Sequence, residues 1–248
     1  MQESIQVIRD ALPTLLQGLL ITLWLTAATS VIGLILGSLL GIARVSASAP
    51  LRFFARAYID FFRGTPLLVQ LLIIYFGIPG LLTSIGSPIR MERWVAAIAA
   101  LSLNAAAYIG EIVRGGIQSI EGGQREASES LGLSRTQTMQ YIIFPQAFRR
   151  MIPPLGNEFI ALLKDTSLVS VISYQELLQS GRIVVARTFR SFEIYIAVAI
   201  IYLILILLAS RLIEYMERRM NPVERAKRHP AAAAANMSID GGDHPAEL

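Results

Sequence analysis

From Ala11 to Ala43 the chain carries no charged residue. About 20 apolar residues in a helix cross a bilayer core, so this run is long enough to span one. Composition agrees. Of the 248 residues, 54% are hydrophobic and 16% are charged, against roughly a quarter charged in soluble proteins. The apolar residues come in long blocks rather than in alternating or amphipathic patterns. An all-α, polytopic membrane protein is expected.

Five blocks qualify as transmembrane helices: residues 15–42, 64–89, 94–110, 151–172 and 194–210. In the first, Gly33, Gly37 and Gly41 recur every four residues, a ridge that lets another helix approach closely. An odd number of spans puts the termini on opposite sides, so the basic residues can set the orientation. With the N-terminus outside, fourteen Lys and Arg fall on the inner side and six on the outer, and such an excess belongs inside. The expectation is N-out, C-in. Residues 1–222 then form the transmembrane domain, with a cytoplasmic loop at about 114–150. The tail, 223–248, is an alanine run followed by Asn, Asp, Gly and Pro; it cannot bury a core and is expected to be disordered in the cytoplasm.

Several chemistries drop out. The chain has no cysteine, and its two histidines, His229 and His244, lie in the tail. Disulfides, thiolate zinc sites, thiol nucleophiles and His-based sites in the membrane body are excluded. The basic residues sit beside apolar blocks, which argues against nucleic acid as a partner. Glu3 and Asp10 precede a block too long for a signal-peptide core, so the mature chain is expected to begin near Met1. No Gly-x-x-x-x-Gly-Lys-Ser/Thr phosphate loop occurs, so the chain has no nucleotide site of that kind. The spans carry no set of nucleophile, base and orienting group for an enzyme. A self-contained channel or secondary transporter would need a filter motif or inverted repeats, and neither stands out.

Within the cytoplasmic loop, Gly122-Gly123 breaks the preceding helix and residues 124–131 are good helix formers. Gly132 is placed to end that helix in a left-handed conformation. Ser134 with Gln137 reads as a capping box that starts the next helix, and Pro145 is expected to kink or end it. The whole predicts a helix, a sharp turn and a second helix returning to the membrane.

Glu126-Ala127-Ser128, then Gly132, then Ile142-Ile143-Phe144-Pro145 resembles the EAA loop of ABC importer permeases. That pattern is Glu-Ala-Ala, three residues, Gly, nine residues, then Ile-x-Leu-Pro; Ser128 and Phe144 are the departures. Arg63-Gly64-Thr65-Pro66-Leu67, the stretch from Gly115 to Gln124, and Lys164-Asp165-Thr166-Ser167-Leu168 resemble the polar amino-acid uptake permeases. The resemblance runs from about Leu15 to Pro222. It implies a type I ABC importer permease in a bacterial inner membrane, driven by two copies of a separate ATPase subunit that holds ATP and Mg. It implies that Glu126, Ala127, Ser128, Leu131, Gly132 and Pro145 belong to the ATPase-coupling element. It also implies a second permease chain, identical or homologous, and an external substrate-binding protein, with no cofactor in this chain.

Ionisable residues inside a span are costly and mark function by default. The fourth span holds Glu158, Lys164 and Asp165, with Asn157 adjacent. An amino acid presents an ammonium and a carboxylate. Asp165 or Glu158 suits the first; N–H groups at a helix break near Thr166 and Ser167 suit the second. Glu158 and Asp165, seven apart, share a face about 10 Å apart. Against this, Lys164 and Asp165 could snorkel at the outer interface, and Glu158 could pair with Arg149 or Arg150. Thr65, Gln70 and Tyr75 in the second span, and Asn104 and Tyr108 in the third, either line the pathway or bond between helices.

Overall fold

The computed structural model describes residues 2–87 and 89–220; the tail at 223–248 lies outside them. The described residues are helical, with no strand. The first helix, α1, runs from Gln2 to Val45. At 1.5 Å per residue it is more than twice the ~30 Å of a bilayer core, and it starts well before the expected residue 15. Ala11 and Leu15 account for the extension, because they are buried against Leu177, Ile194 and Val198 in a separate apolar cluster.

The next two helices, α2 (Ala49–Gly64) and α3 (Leu67–Ser84), are separated by an extended step at Thr65-Pro66. A π-helical turn at Ile73–Gly77 lies within α3. The uncharged run beginning at Gly64 thus describes α3 and misses α2. Arg52, Arg56, Asp60 and Arg63 interrupt α2's apolar residues, while Ala55 and Ile59 form its buried stripe. The most enclosed helix is α4 (Arg93–Gln118).

The loop helix α5 (Gly122–Ser130) is followed by one turn at Arg135–Gln137 and a π-helical turn at Thr138–Ile143. These lead into α6 (Phe144–Asp165), which narrows to a 3₁₀ segment at Thr166–Ile172. Pro145 therefore does not end the helical run, which changes from π to α just before it. A proline removes an i→i−4 bond and crowds the carbonyl one turn back; the wider π turn just before it relieves both.

A short helix, α7 (Leu177–Thr188), and a long one, α8 (Ser191–Met220), complete the chain. The expectation of five spans left no helix at α7. Its start is set by buried Glu176, whose carboxylate accepts from the N–H groups of Leu178 (2.8 Å) and Gln179 (2.7 Å) and from the Tyr202 hydroxyl (2.9 Å).

Among the described residues four helices, α1, α3, α4 and α8, are long and apolar enough to cross a membrane. α6 is not, because Arg149, Arg150, Glu158, Lys164 and Asp165 lie along it. The exterior is apolar where a soluble protein's would be polar: Leu20, Leu39 and Leu208 are each more than 60% exposed. Large contiguous apolar surface of this kind needs lipid or a partner to cover it.

The glycine ridge does what its spacing predicts. α1 packs on α4 so closely that a Cβ at Gly37 would lie 2.6 Å from Ile109 Cβ and 2.9 Å from the Ala106 carbonyl oxygen; at Gly41 it would lie 2.8 Å from the Gly110 carbonyl oxygen. A backbone carbonyl cannot swing aside. Gly37→Leu should therefore push α1 off α4 and cost more than the 1–3 kcal/mol typical of overpacking. A thermal unfolding midpoint of the purified protein within about 2 °C of wild type would show that this seam is looser than it looks.

Candidate functional site

Two places concentrate the polar chemistry. One is a cavity of about 500 Å³ beside the α2–α3 step, lined by Arg63, Gly64, Thr65, Pro66, Leu67, Asn104, Tyr108, Glu158, Ala161 and Asp165. The step exists because Pro66 has no N–H and forces Thr65 into an extended conformation. Ending α2 there leaves carbonyls unsatisfied, and inside a membrane these need partners. Gln70 supplies them. Its Nε2 donates to the Phe62 carbonyl (2.8 Å), the Thr65 carbonyl (3.0 Å) and the Thr65 hydroxyl (2.9 Å). The amide of Asn104 donates to Gln70 Oε1 (3.0 Å) and to the Phe62 carbonyl (3.3 Å). Tyr58 ties α2 to α4 through the Leu103 carbonyl at 2.8 Å.

Among the expected pathway residues, Thr65, Glu158 and Asp165 come together on this cavity. On α6, Glu158, Ala161 and Asp165 follow the i, i+3, i+7 spacing of a single helix face. Glu158 also borders a second, apolar cavity of about 330 Å³ shared with Ser30, Ile109 and Leu162. The pairing of Glu158 with Arg149 or Arg150 does not occur. Arg149 is exposed, and Arg150 donates to the Ser119 carbonyl.

Four expected residues stand elsewhere. Gln70 is buried and its amide is committed to the α2–α3 step. Asn157 and Lys164 project from exposed positions of α6, away from the cavity. Ser167 does not line it either. The helix break expected at Thr166 is a tightening from α to 3₁₀, so the N–H groups there are bonded to the carbonyls of Leu162 and Lys164 and none is free for a carboxylate.

The group that sequence reasoning passed over is Arg63. It is the one cation among the described residues lining the cavity, and its guanidinium lies 5.3 Å from the centre of the Tyr108 ring, within cation–π range. Its signal was its place immediately before Gly64-Thr65-Pro66, a helix-ending sequence inside a membrane domain. The cavity thus offers one guanidinium and two carboxylates within a small polar volume.

The second place is the turn after α5. Gly132 has φ +80. Its N–H bonds the Glu129 carbonyl (2.9 Å), and the Leu133 N–H bonds the Ser128 carbonyl (3.1 Å); together these two bonds make a Schellman motif. Ser134 follows as a capping box: its N–H donates to Gln137 Oε1 (2.9 Å) and its hydroxyl accepts from the Gln137 N–H (3.4 Å). Glu126, Ala127, Leu131, Gly132 and Pro145 are exposed, whereas Ser128 is buried and donates to the Gln124 carbonyl at 2.6 Å. Leu131, 81% exposed, is the apolar tip of an otherwise polar helix. A rigid two-helix corner with one protruding leucine can seat in a partner's groove and carry a push.

Comparison with known proteins identifies the family of the chain. Residues 33–222 match the family described as "Binding-protein-dependent transport system inner membrane component". The glutamine transport system permease protein GlnP of Escherichia coli (strain K12) is 42% identical over 220 residues, covering 89% of this chain and 99% of GlnP. The glutamate/aspartate import permease protein GltK of Escherichia coli O6:H1 is 41% identical, covering 84% and 94%. The arginine transport system permease protein ArtQ of Bacillus subtilis is 38% identical, covering 84% and 93%. Among solved structures, an amino acid ABC transporter crystallised with histidines matches with a TM-score of 0.79 and 40% identity, covering 85% of this chain and 95% of that one. The MetNI methionine ABC transporter, at 22% identity and a TM-score of 0.63, shares the fold. The chain thus belongs to the inner-membrane permease components of binding-protein-dependent transport systems, a transport subunit whose ATPase is a separate protein.

Proposed function

We propose that this chain is half of the pathway of an amino-acid importer in a bacterial inner membrane, and that the cavity beside Arg63 receives the amino acid. The observation that carries this is the charge set of the cavity: Arg63 suits an α-carboxylate, and Asp165 or Glu158 suits an α-ammonium. Three relatives whose names specify glutamine, glutamate/aspartate and arginine transport support the substrate class.

In this reading the chain crosses the bilayer five times, N-terminus out and C-terminus in, with α6 and its 3₁₀ extension as the fourth crossing. A second permease chain completes the pathway, and an external binding protein delivers the substrate. Two ATPase subunits holding ATP and Mg dock on the corners formed by residues 126–132. Closure of the ATPases on ATP rotates the two permease halves from inward-open to outward-open, and hydrolysis resets them.

The test is uptake by proteoliposomes containing this permease, its ATPase and its binding protein, measured with a panel of labelled amino acids. Uptake of at least one amino acid that stops when ATP is withheld is the expected result. ATP-independent uptake, or none for any amino acid while another small solute is carried, would sink the proposal.

A further inference from the structure

Below the cavity, Arg63 reaches a second group of charges. The carboxylate of Glu111 on α4 is surrounded by three guanidiniums. Arg114 holds it firmly, with Nε donating to Oε2 at 2.9 Å and Nη2 to Oε1. Arg44, at the end of α1, stands 4.0 Å from Oε2, and its Nε is buried with no acceptor. Arg63, at the end of α2, stands 3.9 Å from Oε1, too far for a hydrogen bond. One carboxylate cannot neutralise three guanidiniums, so the group carries a surplus of positive charge.

Resting on the reading of the cavity as the substrate site, we propose that Glu111 is the resting partner of Arg63, a positioning residue that yields the guanidinium to a substrate carboxylate. Arg63 is the most exposed of the three cations and the one that lines the cavity. An arriving carboxylate matches its fork in a bidentate way, which the 3.9 Å contact with Glu111 does not. When Arg63 turns to the substrate, Glu111 is left to Arg44 and Arg114, and the like-charge repulsion inside the group falls. The exchange therefore shifts the balance of charge among the ends of α1, α2 and α4. It is also linked to the coupling corner, because Arg114 bonds Gln118, and the Ser119 carbonyl one residue on is held by Arg150 of α6. Cavity occupancy is thereby felt at the base of the helix pair that meets the ATPase.

The test uses the permease–ATPase complex in lipid nanodiscs without the binding protein. Equilibrium binding is measured for a transported amino acid and for its α-carboxamide, which keeps the ammonium and side chain but lacks the carboxylate charge. Wild type is expected to prefer the carboxylate form. Arg63→Gln should reduce that preference to within about twofold of unity. If wild type shows no preference, or Arg63→Gln leaves it intact, the cavity reading fails and this inference with it.

Glu111→Gln separates the two. Removing the resting partner frees Arg63, and two unit charges at this separation in a high-dielectric setting attract by about the energy of a fivefold change in affinity. The amino acid should bind about fivefold tighter and the carboxamide unchanged. Carboxylate affinity that is unchanged or weaker in Glu111→Gln, while Arg63→Gln abolishes the preference, overturns the inference and spares the cavity. Equal weakening of both ligands would mark Glu111 as scaffold only and overturn the inference in the same way. Should Glu111→Gln fail to assemble, Glu111→Asp keeps the charge of the group but draws it back from Arg63, and a smaller tightening confined to the carboxylate form is the corresponding result.

Discussion

Leu131→Asp should strip the ATPase from the purified permease while leaving the permease itself folded. Leu131 is 81% exposed at the tip of α5 among the described residues, so its loss costs their packing little. In a partner's groove, a fully buried leucine contributes about 1.5–3 kcal/mol. An unpaired aspartate in its place adds a desolvation penalty of several kcal/mol. Together these weaken docking by at least about a hundredfold, since every 1.4 kcal/mol is a factor of ten. Gly132→Ala is the measured contrast. A Cβ there meets nothing within 4 Å, and only the φ of +80 resists it, so the cost is about 1 kcal/mol of backbone strain and docking should fall less than tenfold. Affinity capture of the ATPase on immobilised permease, titrated to give a Kd, reads both. Capture unchanged in Leu131→Asp would remove this corner from the ATPase interface.

How legible all this was depended on whether the signal was local. The Gly132 turn and the Ser134 capping box were readable because caps are set by residues within four positions of one another. The glycine ridge of α1 was equally plain, since a four-residue period on a helix is a face. α2 was hidden as a span. Its charges broke the continuous apolar run that marks a span, and its helix shows instead as an amphipathic repeat, with Leu51, Ala55, Tyr58, Ile59 and Phe62 at helical spacing. α7 was hidden for another reason. Its stability comes from Glu176, and a buried carboxylate capping a helix under the Tyr202 hydroxyl is a tertiary arrangement. At Pro145 a disturbance of the helix was legible but its form was not, because a proline rule applied to an ideal α-helix does not anticipate a π turn. For Gln70 two roles stood open, pathway or helix bonding, and Arg63 had none of its own. A glutamine in an apolar run looks functional until its carbonyl partners at the α2–α3 step are known. An arginine at a span end looks like an interfacial charge until the step folds it inward.

Asp165→Asn should all but abolish uptake while assembly and ATPase docking persist. Aspartate and asparagine are nearly the same size, so the cavity wall keeps its shape; what disappears is the negative charge. Asp165 makes no hydrogen bond or ion pair to a side chain among the described residues, so its charge is not holding the helices together, and a half-buried carboxylate left without a partner is a cost that a structural residue would not carry. An ammonium that loses a charge-assisted bond in a water-poor site loses about 1.5–3 kcal/mol, and being left unpaired there raises the loss to about 3–5 kcal/mol. That corresponds to a fall of about a hundredfold to several thousandfold in transport. Glu158→Gln should lose less, because Glu158 stands at the boundary with the apolar cavity rather than wholly within the polar one. The rates are compared with the binding protein saturated, so that delivery does not limit them, and ATPase capture is measured on the same preparations. Normal uptake kinetics in Asp165→Asn would take Asp165 out of the pathway. Lost uptake together with lost capture would instead show that the charge is needed for assembly.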